Sequence, residues 1–254
     1  MKIIHVHHHY YPVVGGIEKV IQRIAEEQAK LGHEVHIITS FLNSQRTLKE
    51  ETINNVHIHR IEVRRLYFPD LTIPKKVPNE LLKRANIVQG YSQNSLFTYL
   101  LCRQAKKFGK IVAMYFLGVN YLRYHYNPLI RLLGYFYQKK LTHMVCKITD
   151  IAFTTNEHEQ KLLMEHYGLN SLVIPHGVDD SYLISPSRAK EFSKKYNVYN
   201  DKIVAYIGRI HFTKGIDLLI KAFDMVNKQI ADAILVIAGS GDRKYFINLM
   251  KLVL

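Results

Sequence analysis

Two cations lie within a short segment, residues 208–215, that begins and ends with glycine. Arg209 and Lys214 stand near its two ends, between an Ile/Val-rich run and a stretch with helical spacing. Such a loop is expected at the carboxyl edge of a sheet, where arginine binds a diphosphate as a fork and lysine as a point charge. The glycine spacing is not that of a P-loop. The alternative is a surface loop with two solvated charges.

A second glycine loop, residues 11–18, follows the first apolar run and contains the adjacent Gly15 and Gly16. Adjacent glycines let the backbone approach a ligand closely, and the N–H groups at a helix start favour an anion. The alternative is a plain strand-to-helix turn. A third segment, residues 174–179, places Gly177 after another apolar run, and by itself it indicates only a turn.

Four histidines, His5, His7, His8 and His9, lead into the first glycine loop. On a strand, His5, His7 and His9 share one face, so a metal site is one interpretation. No aspartate or cysteine partner accompanies them, and we therefore expect no metal. We predict instead that His8 or His9 contacts a ligand beside the glycine loop.

Short runs rich in isoleucine and valine alternate with longer stretches of helical spacing. This alternation predicts an α/β fold with a mainly parallel sheet. The predicted strands are residues 2–7, 34–39, 56–63, 87–89, 110–116, 151–154, 172–174, 203–207 and 234–237. The predicted helices are residues 17–31, 95–108, 128–148, 157–167, 215–227 and a last helix that reaches residue 254.

A turn-rich stretch without a strand pattern divides the chain. We predict an N-terminal Rossmann-like lobe over residues 1–180, a linker over 181–200 and a C-terminal Rossmann-like lobe over 201–254. A doubly wound domain usually contains two β-α-β-α halves, and the second lobe has only one. We therefore expect this lobe to be incomplete and the chain to be truncated.

The formal net charge of +14 attracts phosphate groups, whether of nucleic acid, anionic lipid or a small substrate. The chain lacks a zinc finger, an aromatic single-strand platform and a basic helix of the usual kind, so we expect no nucleic-acid partner. No apolar run reaches about 18 residues, and no membrane span is predicted. Two distant cysteines, Cys102 and Cys146, suit a reducing cytoplasm, where we expect the protein to reside.

The predicted helix 128–148 combines an apolar stripe with basic residues. The stripe consists of Leu129, Leu132, Leu133, Phe136 and Tyr137, and the basic residues are Arg131, Lys139, Lys140 and Lys147. Such a stripe usually packs in the core, and we expect it to do so here. The alternative is a peripheral contact with an anionic membrane surface.

Four segments, in this order, resemble the large family 4 of retaining glycosyltransferases, which has the GT-B fold and is typified by bacterial phosphatidylinositol mannosyltransferases and sucrose synthases. The motifs are Pro-x-x-Gly-Gly-x-Glu at 12–18, Ile-Pro-x-Gly-Val-Asp at 174–179, Gly-Arg-x(4)-Lys-Gly at 208–215 and Ile-Ala-Gly-x-Gly at 237–241. The resemblance covers essentially the whole chain. It implies two doubly wound lobes, the first on the acceptor side and the second on the nucleotide-sugar side.

The resemblance also implies a reaction, in which a sugar moves from a UDP- or GDP-linked donor to a glycan or lipid acceptor with retention of configuration. Arg209 and Lys214 would hold the donor diphosphate, and Gly15 and Gly16 would close over the transferring sugar or phosphate. Gly118 and Gly177 stand at motif positions as further cleft contacts. No cofactor or metal is implied, because the cations and a helix N-terminus neutralise the departing nucleotide.

The chain departs from the family pattern at two places. Leu117 replaces the histidine that precedes Gly118, and His125 is the nearest histidine in the following segment. The family's acidic Glu-x(7)-Glu segment, which binds the donor sugar and ribose, would fall beyond residue 254. Three interpretations follow: an active transferase, a transferase completed by a second polypeptide, or a catalytically inactive remnant or regulatory subunit.

Overall fold

The computed structural model describes residues 1–42, 47–66, 71–124, 128–177, 187–196, 198 and 202–253. The chain divides into two compact units, Met1–Gly177 and Val178–Leu254. Helices and strands alternate in both, which confirms the predicted α/β fold class.

The first unit is built around one large, mainly parallel sheet. Its strands are β1 (Lys2–Val6), β2 (Glu34–Ser40), β3 (Glu50–Ile53), β4 (Val56–Ile61), β5 (Val63–Arg65), β6 (Thr72–Pro74), β7 (Ile87–Tyr91), β8 (Ile111–Tyr115), β9 (Ile151–Thr154) and β10 (Leu172–Val173). Eight of them pair in the order β10-β9-β8-β7-β1-β2-β4-β3, while β5 and β6 form a separate hairpin. Within the described strands of the eight-stranded sheet, only β3 runs antiparallel, on β4 at the sheet edge. The direction of winding reverses between β1 and β7.

Helices cover both faces of this sheet. They are α1 (Gly16–Lys30), α2 (Asn79–Arg84), α3 (Leu96–Lys107), α4 (Pro128–Cys146) and α5 (Glu157–Tyr167). On one face, Ile21 and Ala25 of α1 pack in a cluster with Val35 and Ile37 of β2. On the other face, Ile38 belongs to a larger cluster with residues of α3, α4 and α5. The alternation of side chains along a strand therefore divides the core into two layers.

The second unit contains β11 (Lys202–Ile207) and β12 (Ala233–Ala238), which pair in parallel. Its helices are α6 (Ser187–Tyr196), α7 (Ile216–Asn227) and α8 (Arg243–Val253). The buried core is small and consists of Ile210, Ile216, Ile220 and Leu249. The predicted linker, 181–200, is described at residues 187–196 and 198, and this part contains α6, which the turn-rich composition did not predict.

The predicted burial of the apolar stripe on α4 is wrong. Leucines 129, 132 and 133 and phenylalanine 136 are 57–63% exposed, whereas Tyr137 packs against the core. The buried positions of this helix are instead Gln138, Leu141, Thr142 and Val145. A helix on a sheet buries one stripe, and the stripe on its opposite side must face outward.

The predicted strand 56–63 is also divided, because β4 ends at Ile61 and β5 begins the hairpin at Val63. Along β4, Val56 and Ile58 are buried and His57 is exposed. The short elements β3, β6 and α2 were not predicted. Among the described residues, no helix combines the length and apolar character needed to cross a bilayer.

Candidate functional site

The carboxyl ends of β1 and β7 define the candidate site of the first unit. In open α/β sheets, ligands bind outside the carboxyl ends of the strands at the point where the strand order reverses. His8 and His9 follow β1, and Ser95 caps the helix that follows β7. The loop around Gly118 follows β8, the next strand along the sheet.

The two histidines predicted to contact a ligand differ in how they are held. His8 is buried, and its Nδ1 lies 3.0 Å from the hydroxyl oxygen of Ser95. Burial, together with neighbouring His7 and His9, lowers the pKa of His8 well below its ordinary value. Nδ1 of His9 is buried without a hydrogen-bond partner among the described residues. The ring of His9 is only partly buried, so it is the better placed of the two to contact a ligand.

Hydrogen bonds within the first unit hold the rings of His5 and His7. Nδ1 of His5 lies 2.9 Å from the hydroxyl oxygen of Tyr91. Nε2 of the same ring lies 2.7 Å from the side-chain oxygen of Gln28. Nδ1 of His7 lies 3.4 Å from the carbonyl oxygen of Tyr91. Burial lowers the pKa of His5 to about 4 and that of His7 to about 3, so both rings are neutral at physiological pH. Across the described residues, no three His, Cys, Asp or Glu side chains are grouped to hold a metal ion.

The glycine pair lies at the start of α1, where Gly15 is the N-cap and makes no side-chain capping bond. The carboxylate of Glu18 folds back over Gly15, so closely that a Cβ on residue 15 would overlap it. Glu18 Oε1 also lies 3.9 Å from Nε2 of His7. A Cβ on Gly16 would meet nothing within 4 Å. Gly16 is thus the open position of the pair, and the helix start carries its own negative charge.

Two buried glutamines hold the loop around Gly118. Gln93 donates to the carbonyl oxygens of Leu117 and Gly118, at 3.1 and 3.3 Å, and accepts the Leu117 N–H at 2.9 Å. Gln138 donates to the Gly118 carbonyl oxygen at 3.2 Å and accepts the Leu122 N–H at 3.0 Å. Gly118 has φ +64°, which favours glycine. Leu117, where the family pattern has histidine, packs against the core, and His125 lies outside the described residues.

Sequence reasoning missed both glutamines, because they lie 24 and 20 residues from the loop that they hold. It also missed His176, whose ring stacks on Tyr115 with centroids 5.6 Å apart. The Tyr115 hydroxyl donates to the carbonyl oxygen of Ile174. These contacts fix the segment that ends at Gly177, which is exposed and at which a Cβ would meet nothing within 4 Å.

In the second unit, the cationic loop runs from the carboxyl end of β11 to the start of α7. Arg209 and Lys214 are both exposed, and neither has an acidic partner among the described residues. The hydroxyl of Tyr206 donates to the Arg209 carbonyl oxygen at 2.9 Å. Gly215 has φ +63° and begins α7 without a side-chain cap. The loop therefore presents two exposed cations that form no ion pair within the described part of the chain.

The start of α7, unlike the cationic loop before it, carries a negative charge that opposes the binding of an anion. Asp217 lies in its first turn, and its carboxylate accepts a hydrogen bond from the Tyr245 hydroxyl at 2.7 Å. That hydroxyl also accepts the Asp217 N–H at 3.2 Å. The hydrogen bond from Tyr245 is the main reason that the pKa of Asp217 lies below its ordinary value. The negative charge offsets the positive end of the helix dipole.

Two family models match the chain. The model described as Glycosyltransferase Family 4 matches residues 14–182, and the model described as Glycosyl transferases group 1 matches residues 187–253. Together they take in the sites of both units, except for residues 1–13, which contain β1 and the four histidines.

One curated relative is the GPI3 subunit of phosphatidylinositol N-acetylglucosaminyltransferase from Saccharomyces cerevisiae (strain YJM789). The chain is 22% identical to it over 250 residues, and the match covers 96% of this chain. It covers 53% of the yeast protein, so the chain spans about half the length of this relative.

Solved structures share the fold at lower identity. Sucrose-phosphate synthase from Thermosynechococcus elongatus matches with a TM-score of 0.70 and 16% identity, covering 96% of this chain and 63% of the synthase. The catalytic domain of starch synthase IV from Arabidopsis thaliana, bound to ADP and acarbose, matches with a TM-score of 0.62 and 12% identity, covering 99% and 71%. These likenesses agree with the predicted GT-B-like fold of Rossmann-like lobes.

Proposed function

We propose, from the premise that this chain belongs to glycosyltransferase family 4, that it transfers a sugar from a nucleotide-sugar to a glycan or lipid acceptor with retention of configuration. The observation that carries the proposal is the pair Arg209 and Lys214, exposed and without an acidic partner among the described residues. The name of the yeast relative supports a lipid acceptor, and the ADP bound to starch synthase IV supports a nucleotide donor.

On the donor side, Arg209 and Lys214 bind the diphosphate of a UDP- or GDP-sugar. Arg209 donates two parallel hydrogen bonds to phosphate oxygens, and Lys214 adds a point charge. As the bond from the sugar carbon to the diphosphate breaks, these cations stabilise the developing negative charge. Asp217 occupies the start of α7, so the side-chain cations provide most of this stabilisation. No metal ion or cofactor is proposed, and we expect EDTA to leave transfer unchanged.

On the acceptor side, the residues of the first unit bind hydroxyl groups rather than phosphate. The carboxylate of Glu18 lies over Gly15, and it repels an anion but accepts hydrogen bonds from sugar hydroxyls. The partly buried ring of His9 is a second polar contact. Gly16 lets the backbone approach the sugar closely, and Gly118 and Gly177 are further contacts. The leaving phosphate takes the proton of the acceptor hydroxyl, whose oxygen bonds to the sugar carbon on the face that the phosphate leaves.

A second candidate is a catalytically inactive remnant or regulatory subunit, or a chain that a second polypeptide completes. Leu117 favours this candidate, because a packed leucine stands where the family pattern has histidine. An aliphatic side chain neither donates nor accepts a hydrogen bond, so a contact to the sugar is lost there.

Calorimetric titration of the chain with UDP- and GDP-sugars tests the proposal, with Arg209→Ala/Lys214→Ala as the variant. The matched control is Lys202→Ala/Lys228→Ala, which removes the same charge at the amino end of β11 and the far end of α7. We expect binding in the wild type and the control, and loss in the loop variant. Equal weakening in both variants would mean that net charge alone attracts the nucleotide. Absence of binding in the wild type would overturn the proposal in favour of the remnant.

A further inference from the structure

The first half of the outward face of α4 consists of four large apolar side chains that are exposed to solvent. Leu129, Leu132, Leu133 and Phe136 follow the spacing i, i+3, i+4 and i+7, which places them along one side of the helix. Each is 57–63% exposed. Single exposed apolar residues are common on protein surfaces, but a continuous stripe of this kind marks an interaction site.

The same outward face continues with basic side chains. Lys139, Lys140 and His143 are exposed one and two turns beyond Phe136. No aspartate or glutamate occurs anywhere between Pro128 and Cys146. The outward face is therefore apolar in its first half and basic in its second, and it is free of negative charge.

The inward face explains why the helix keeps this orientation. Leu141 and Val145 are buried in the larger core cluster. Gln138, also buried, holds the Gly118 loop through its side-chain amide. Rotation of α4 to bury its leucines would break these hydrogen bonds, so the apolar stripe stays outward in the folded protein.

We propose that the outward face of α4 docks on the surface of an anionic lipid bilayer. The leucines and Phe136 enter the boundary between headgroups and acyl chains, while Lys139 and Lys140 contact anionic headgroups. The net charge of +14 supports attraction to a negative surface. A second copy of the chain is a poorer occupant, because it would bring a like-charged basic face to this one. The docking does not depend on the transferase activity proposed above.

Vesicle flotation tests the docking, with phosphatidylcholine vesicles that contain or lack phosphatidylglycerol. We expect the wild type to float with the anionic vesicles and on the order of tenfold more weakly with phosphatidylcholine alone. Leu132→Ser/Phe136→Ser removes the apolar contact, and Lys139→Gln/Lys140→Gln removes the charge. Each should weaken binding to anionic vesicles about tenfold or more.

Two control variants make the same chemical changes elsewhere. Lys19→Gln/Lys30→Gln changes exposed lysines of α1, on the other face of the sheet, and Leu218→Ser/Met225→Ser changes exposed residues of α7. Both should bind like the wild type, and circular dichroism should show that all four variants stay folded. The proposal is overturned if the α4 variants float like the controls, or if flotation does not depend on phosphatidylglycerol. It is also overturned if the wild type does not float and instead forms a dimer that Leu132→Ser/Phe136→Ser dissociates.

Discussion

Gly239 at the end of β12 lies directly against the carbonyl oxygen of Gly208 at the end of β11, so closely that a Cβ on residue 239 would overlap that oxygen. The Gly208 N–H donates to the Ala238 carbonyl oxygen at 3.0 Å. Gly241 meets the carbonyl oxygen of Ile210 in the same way. Arg209 therefore stands between two backbone contacts that only glycine permits, and the Ile-Ala-Gly-x-Gly motif positions the cationic loop.

Gly239→Ala should destabilise the second unit and weaken nucleotide-sugar binding. The new methyl group must push the two strand ends apart, which we expect to cost roughly 2–4 kcal/mol, at the upper end of the usual range for a single substitution. Thermal unfolding followed by circular dichroism measures the loss. Gly16→Ala is the control, because its methyl group meets nothing within 4 Å. An unchanged melting temperature in Gly239→Ala would show that the strand ends can separate without cost.

Gln93→Leu should lower the stability of the first unit. The side-chain amide of Gln93 makes three hydrogen bonds to the backbone of Leu117 and Gly118, and leucine makes none of them. Leaving buried polar groups unpaired costs about 1–3 kcal/mol each, so we expect a loss of roughly 2–4 kcal/mol in urea unfolding. The exposed Gln229→Leu is the control and should change stability little. A loss equal to that of the control would mean that water replaces the amide.

The helices and strands were predictable from the sequence where neighbouring residues show a regular pattern. The candidate site was predictable only in part. Strand β9 and helix α5 have their predicted bounds, Ile151–Thr154 and Glu157–Tyr167. The periods of a strand and of a helix are visible in the order of neighbouring residues, so such elements can be predicted. The outward direction of the α4 leucines was not predictable, since a helical period shows a stripe but not which neighbour covers it. The contact of Gln138 with Gly118 joins residues far apart in the chain, and no spacing rule indicates it.

Acid should destabilise the first unit through His5. Its folded-state pKa is about 4 against an ordinary value of 6.5, so the unfolded chain binds more protons between these pH values. Stability is therefore full above pH 6.5 and falls as the pH drops towards 4, by on the order of 3 kcal/mol. Tyr91 and Gln28, which bond to the ring, stay uncharged in this window.

His5→Gln should reduce this pH dependence, because an amide does not titrate, while buried His7 and His8 keep the remainder of the slope. Urea unfolding at a series of pH values measures the slope. His158→Gln, which changes an exposed histidine of α5, is the control and should keep the slope of the wild type. An unchanged slope in His5→Gln would assign the acid sensitivity to other groups, with buried His7 as the next to test.

Asp217→Asn should strengthen donor binding, although the residue lies outside the motif. The Asp217 carboxylate at the start of α7 opposes the attraction of a phosphate to the helix end and to Lys214. Asparagine keeps an oxygen for the Tyr245 hydroxyl but removes the charge. The interaction of one charge with the end of a helix dipole contributes about 0.3–1 kcal/mol. We therefore expect the Kd of a nucleotide-sugar to fall roughly two- to fivefold. Asp224→Asn, near the other end of α7 and paired with Lys228, is the matched control and should leave the Kd unchanged. Weaker binding in Asp217→Asn would instead show that the carboxylate receives a hydrogen bond from the donor.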